Sequence, residues 1–193
     1  DTGAHTITIG QDTTLKTFNA GSGDDTITIA NGGKLSGSSL DLTNGNNTLN
    51  VASGGNVENL TNITTGNGTN KITIDKDATA SKLATINLGN GTNTLDLSVS
   101  GVSTGLTVSG GSGTDNINLS GANGKIATLN AGANSTNINL NTSNNTITTL
   151  NANDKGSTIN IASGSGTITT IEGKNGADSI SIGKGNTISE IKT

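Results

Sequence analysis

Asp24 and Asp25 stand side by side in "GSGDDTITI" (residues 21–29). Asp115 and Asp178 hold the second Asp's place in "GGSGTDNINL" (residues 110–119) and "GADSISI" (residues 176–182). A further pair, Asp75 and Asp77, lies in "DKDATASK" (residues 75–82). Carboxylates suit a hard cation such as Ca2+, which takes about six to eight oxygen ligands. These six aspartates are therefore the candidate calcium ligands, with Asp24/Asp25 and Asp75/Asp77 the best local pairs. The same residues also fit a second reading. The column that contains Asp25 continues as Asn47, Asn70, Asn93 and Asp115, each two residues before an apolar strand position. Same-parity residues share a face of a strand, so this column points inward. Stacked Asn side chains at a turn hydrogen-bond one another and the turn backbone. On that reading Asp25, Asn47, Asn70, Asn93 and Asp115 form a structural polar ladder.

Both readings require elements that repeat. Two apolar residues separated by one polar residue recur nine times: Ile7/Ile9, Ile27/Ile29, Leu49/Val51, Ile72/Ile74, Leu95/Leu97, Ile117/Leu119, Ile138/Leu140, Ile159/Ile161 and Ile180/Ile182. Successive pairs are 20, 22, 23, 23, 22, 21, 21 and 21 residues apart. Period-two alternation of β-branched residues predicts a strand with one buried face. A second strand is expected before each of these from the second repeat on, with inward pairs such as Leu40-x-Leu42, Ile86-x-Leu88, Leu106-x-Val108 and Leu150-x-Ala152. Seven residues then lead to the next first strand, except from Val108 to Ile117, where there are nine. A third anchor runs Leu15, Leu35, Val57, Leu83, Val102, Ile126, Ile147, Ile168 and Ile188. Three inward clusters per turn predict an all-β parallel β-solenoid over residues 1–193 with about nine rungs of 20–23 residues, three-sided with right-handed favoured, and a two-sided β-roll as the alternative geometry. At about 4.8 Å per rung, Asp25 and Asp115 are roughly 19 Å apart and cannot share one ion.

Composition excludes several classes. The chain of 193 residues has no Pro, Cys, Met, Trp or Tyr, only Phe18 as an aromatic and only His5 as a histidine. Apolar content of 28% is far below the usual ~45–50%, a level that a thin repeat core tolerates. The net charge of −4, without Arg or interleaved aromatics, gives nucleic-acid binding no support. No apolar run reaches membrane-spanning length, so no membrane insertion is expected. Catalysis on a polysaccharide would need clustered carboxylates, a nearby cationic group and aromatic platforms, none of which the pattern supplies, so the protein is not expected to be an enzyme. Thr-x-Thr pairs of the kind that match ice occupy outward positions only at Thr6/Thr8 and Thr26/Thr28. Both ends read as uncapped, from "DTGAHTITI" to "TISEIKT", so an excised segment of a longer array or a unit that stacks end to end is expected.

The turn motifs "GSGDDTITI" and "GGSGTDNINL" resemble the RTX repeat, Gly-Gly-x-Gly-x-Asp-x-apolar-x. The chain as a whole is similar to "β-strand repeat" regions of bacterial surface-layer proteins and large secreted adhesins. The RTX resemblance implies calcium between adjacent turns, held by loop carbonyls and Asp. The chain departs from it in having one motif per 21 residues or so instead of tandem nines, and Asn in three successive Asp positions. The wider resemblance implies an extracellular location on a bacterial cell surface and a structural role in a lattice, fibre or stalk. Expected partners are further rungs of the same chain, other copies stacked end to end, and cell-surface polysaccharide. The alternatives are an adhesin module that binds glycan or protein through its Asn/Thr face, and an ice-binding solenoid.

Overall fold

Alternation of Ile, Leu and Val with Thr and Asn suits extended backbone, since β-branched side chains pack well on a pleated surface. In the computed structural model, which describes residues 2–98, 101–102, 105–121, 125–141 and 145–193, every such segment is a strand. The first sheet stacks β1 (Thr6–Ile9), β3 (Thr26–Ile29), β6 (Thr48–Val51), β8 (Lys71–Ile74), β10 (Asn93–Leu97), β12 (Asp115–Leu119), β14 (Asn137–Leu140), β16 (Thr158–Ile161) and β18 (Ser179–Ile182). The second stacks β5 (Ser39–Asp41), β7 (Asn62–Thr64), β9 (Thr85–Asn87), β11 (Leu106–Ser109), β13 (Lys125–Asn130), β15 (Thr146–Asn151), β17 (Thr167–Glu172) and β19 (Thr187–Lys192). A short third sheet pairs β2 (Thr14–Leu15) with β4 (Lys34–Leu35), and isolated bridges carry it on through Asn56 to Thr79. All pairings among the described residues are parallel, and each strand of the first sheet pairs with the strand one coil away. The protein is a parallel β-solenoid. Its nine first-sheet strands are separated by eight turns of chain.

Register places like on like. Ile7, Ile27, Leu49, Ile72, Leu95, Ile117, Ile138, Ile159 and Ile180 stack in one column. Between Ile27 and Ile159 every member of that column is fully buried. Burial of one such aliphatic side chain contributes roughly 1.5–3 kcal/mol, so a narrow core suffices when every coil supplies several. Two sequence expectations shift in phase. Val108 pairs with Ile86 and with Leu129, so it is the first member of its second-strand pair. The second member is Gly110, and the distance from Gly110 to Ile117 is the same seven residues as elsewhere. Leu106, expected in that pair, pairs instead with Ile126 in the third-anchor column, across a register irregularity. Likewise the Asn56–Thr79 bridge places Ala80, not Leu83, beside Val57. The third side also changes along the axis. From β13 onward the second-sheet strands lengthen to six residues and take in the third anchor, as with Ile126 and Leu129 in one strand.

The turns before the first-sheet strands from β1 to β12 are built from stacked glycines. A Cβ on Gly23, Gly45, Gly68, Gly91 or Gly113 would lie 1.4–2.2 Å from a glycine carbonyl oxygen one coil earlier. Gly91 also has a φ of +124°, which favours glycine. The motif's glycines are therefore required by stacking alone. Gly113→Ala is expected to destabilise by about 1–3 kcal/mol, because its Cβ would meet the Gly91 carbonyl at 1.4 Å. Gly10→Ala meets nothing within 4 Å and should stay within about 0.5 kcal/mol of the parent. Denaturation midpoints of the two variants check this, and equal shifts would refute the stacked-turn account.

Candidate functional site

Where each turn enters the first sheet, an N–H points along the axis with no strand carbonyl to receive it. The polar column supplies the acceptor. The Asp25 N–H donates to Asn47 Oδ1 (2.9 Å), that of Asn47 to Asn70 Oδ1 (3.1 Å) and that of Asn70 to Asn93 Oδ1 (3.2 Å). Asn93 donates its N–H to Asp115 Oδ1 (3.2 Å), and its Nδ2 reaches the same oxygen at 2.8 Å. At the first coil, the His5 N–H donates to Asp25 Oδ1 (2.9 Å), with His5 Nδ1 also 2.9 Å from that oxygen. Asp25, Asn47, Asn70, Asn93 and Asp115 are all buried. The amides also hold the turns themselves. Asn47 Nδ2 donates to the carbonyl of Leu42 (2.8 Å), and Asn70 Nδ2 to those of Gly66 and Gly68 (3.5 and 3.4 Å). Beyond Asp115 the ladder changes character. Thr136 and Ser157 are shorter, and their hydroxyls accept N–H groups of their own turns, from Gly132 and Asn153. Asp178 restores the pattern by accepting the Ser157 N–H at 2.7 Å.

The other aspartates go elsewhere. Asp24 faces solvent while Asp25 faces the core, and its two oxygens take the N–H and the Nδ2 of Asn46. That pairing holds its carboxyl below the usual range. Asp75 Oδ1 accepts the Asp77 N–H at 3.4 Å, and Asp77 Oδ2 lies 3.3 Å from both Ser53 Oγ and Lys76 Nζ. Among the described residues, no three His, Cys, Asp or Glu side chains come together in a way that could hold a metal ion. The six aspartates thus sit singly or turned apart, with Oδ1 of Asp25, Asp115 and Asp178 already accepting backbone N–H groups. Two of their oxygens, Asp25 Oδ2 and Asp115 Oδ2, are buried without a hydrogen-bond partner. Asp115 Oδ2 sits in glycine backbone, where a Cβ on Gly110 or Gly132 would approach it to 2.7 and 2.6 Å. It occupies the place from which the ladder asparagines donate to turn carbonyls. One orphan oxygen per site falls well short of the multi-carboxylate cage that calcium prefers, so the donor set does not fit the ion that the motif implies.

A second set of ladders lies on the outside, at positions the sequence marks only as a solvated polar face. Asn118 Nδ2 donates to Asp96 Oδ1 (2.7 Å), Asn139 Nδ2 to Asn118 Oδ1 (2.8 Å) and Asn160 Nδ2 to Asn139 Oδ1 (3.0 Å). Asn137 bonds Asn116 at 3.0 Å in the neighbouring column, and Asn151 bonds Asn130 at 2.7 Å on the second sheet. The signal was present as Asn at matching offsets, but outward parity alone does not reveal amide pairing. Beside the Asn118 column, a groove of about 370 Å3 runs along the axis. The chain matches no family model, no curated protein and no solved structure. The geometry alone therefore carries the functional reading.

Two measurements probe the inner ladder. Asn70→Leu leaves the Asn47 N–H without its acceptor, and a buried unpaired donor costs about 1–3 kcal/mol. Asn50→Leu, on the outward face, should change stability by no more than about 0.5 kcal/mol. Equal denaturation midpoints would refute the ladder's role. The second measurement concerns pH. Burial pushes the Asp115 carboxyl up to about 6 from the ordinary 3.8, against the lowering effect of the Asn93 hydrogen bonds. A carboxyl with a raised folded pKa contributes stability that is complete below about pH 4 and is lost as pH rises through about 6. Asp115→Asn, which can donate to the turn as Asn47 does, should be the more stable protein at pH 8, by on the order of 2–3 kcal/mol. That advantage should vanish near pH 4. A constant difference between the two proteins from pH 4 to 8 would contradict the account.

Proposed function

We propose that this protein is a non-enzymatic structural module, a β-solenoid segment of a secreted bacterial cell-surface protein that builds a lattice, fibre or stalk. The observation that carries this reading is the continuity of the stack up to its two outer coils. Among the described residues, β1 pairs only with β3, and β18 only with β16, so each presents an open edge. At the C-terminal end the core columns come to the surface, with Ile182 of β18 and Ile191 of β19 42% and 44% exposed although Ile161 and Ile171 one coil earlier are buried. Open parallel edges over an apolar column are completed by more of the same structure: further coils of the same chain, or a second copy. Contact of this kind is head to tail and propagates instead of closing into a dimer. The resemblance of the chain as a whole to "β-strand repeat" regions of surface-layer proteins and adhesins supports the extracellular location.

The test is light scattering and electron microscopy of residues 1–193 across a concentration series, with and without EDTA. Linear assemblies that lengthen with concentration are expected, unaffected by the chelator, because the ladder and not a metal holds each turn. Thr8→Pro removes a strand N–H in the outermost coil and should shorten them. A monomer at all concentrations, from a parent chain with no adjoining coils, would overturn the reading.

A further inference from the structure

The groove beside the outer amide ladder has a chemistry of its own. Asn118, Asn139, Asn160 and Ser181 pair in register along one wall, four coils deep, which is roughly 14 Å at the parallel strand spacing. Ser120, Asn141 and Ala162 form the other wall, and between the walls runs the backbone of Leu119, Leu140 and Ile161, whose side chains are buried in the core. No residue that lines the groove is charged. Within the row, Asn139 gives one N–H to Asn118 and accepts one from Asn160. An amide has two N–H donors and two acceptor lone pairs, so each such residue keeps one of each for a ligand. The ladder also fixes the amide orientation before any ligand arrives, which removes part of the ordering cost of binding.

From this geometry we infer that the groove binds a neutral, unbranched, extended polysaccharide lying parallel to the solenoid axis. A sugar hydroxyl both donates and accepts, which matches the spare donor and acceptor on each amide. The C–H faces of the sugar rings suit the uncharged lining and the Ala162 methyl group. A polyanion would find no cation in the lining. An extended peptide would need a free sheet edge, and this part of the sheet is paired on both sides. Sites repeated once per coil in a straight line favour a polymer over a monomer, because each added sugar engages another coil.

The inference is independent of the assembly reading and is tested separately, by NMR titration of the full chain with cellohexaose and chitohexaose. Saturable shifts of the Asn118, Asn139 and Asn160 side-chain amides are expected, with glucose at least tenfold weaker. Asn139→Asp should weaken binding at least tenfold while the melting temperature is retained, and Asn50→Asp, outside the groove, should not. Should Asn139→Asp fail to fold, Ala162→Glu fills the groove with charge while leaving the ladder intact, and the same tenfold loss is expected. Absence of saturable shifts at these amides, equal binding of hexagalacturonate, or equal weakening by Asn50→Asp would each overturn the inference. A monomer that binds the sugars would leave it standing and overturn assembly; an assembling protein that ignores them would do the reverse.

Discussion

In-register parallel stacking requires that every side chain be compatible with its counterpart one coil away, at about 4.8 Å. Most of the molecule follows from that constraint. Aliphatic residues meet it by packing on themselves, hence the Ile and Leu columns. Asn meets it because its side chain carries both a donor and an acceptor and can bond a copy of itself. Glycine meets it where a turn must lie against the turn beneath, as at Gly91 and Gly113. Charged residues meet it poorly, since like charges at that spacing repel. This accounts for a composition that is 12% charged yet rich in Asn, Thr and Gly.

The constraint also separates Asp from Asn in the inner column. Both present Oδ1 to the N–H of the preceding coil, and to that extent they are interchangeable. They differ at the second atom. The Nδ2 of Asn47 and Asn70 serves turn carbonyls, whereas Oδ2 of Asp25 and Asp115 has no partner. Where the aspartate stands, the neighbouring backbone is glycine, at Gly110 and Gly132 for Asp115, which leaves room for an oxygen that cannot donate. At Asp115 the glycine turn thus makes room for a carboxylate oxygen without supplying it a hydrogen-bond donor.

The solenoid was legible in the sequence because its signal is repetition. Ile27, Leu49 and Ile72 announce themselves by parity and spacing, and the inward polar column follows from the same parity. Phase was harder to read where the repeat itself varies. At Leu106 and Val108 two apolar residues flank one polar residue, as in Leu40-x-Leu42 and Ile86-x-Leu88. Yet the true partner of Val108 is Gly110, and glycine gives a hydrophobic pattern nothing to detect. Ala80 replaced Leu83 in the same way, a small residue overlooked beside a large one. The outer ladder through Asn118, Asn139 and Asn160 escaped for another reason. Its residues are exposed or half-buried, and what distinguishes them from any solvated Asn is amide orientation, which spacing does not encode.

The inner ladder has a direction. Each backbone N–H donates to the side chain of the coil that follows it in the chain, from Asp25 to Asn47 and onward to Asp115. In this stretch the ladder N–H of each coil is therefore met only by its successor, although the strand N–H groups beside it donate back to carbonyls of the preceding coil, as Thr48 does to Asp25. The two directions along the axis are chemically unlike for the same reason, since the ladder N–H groups point one way and the side-chain oxygens that receive them face the other. Any filament built on this principle has a fixed polarity, with every member facing the same way.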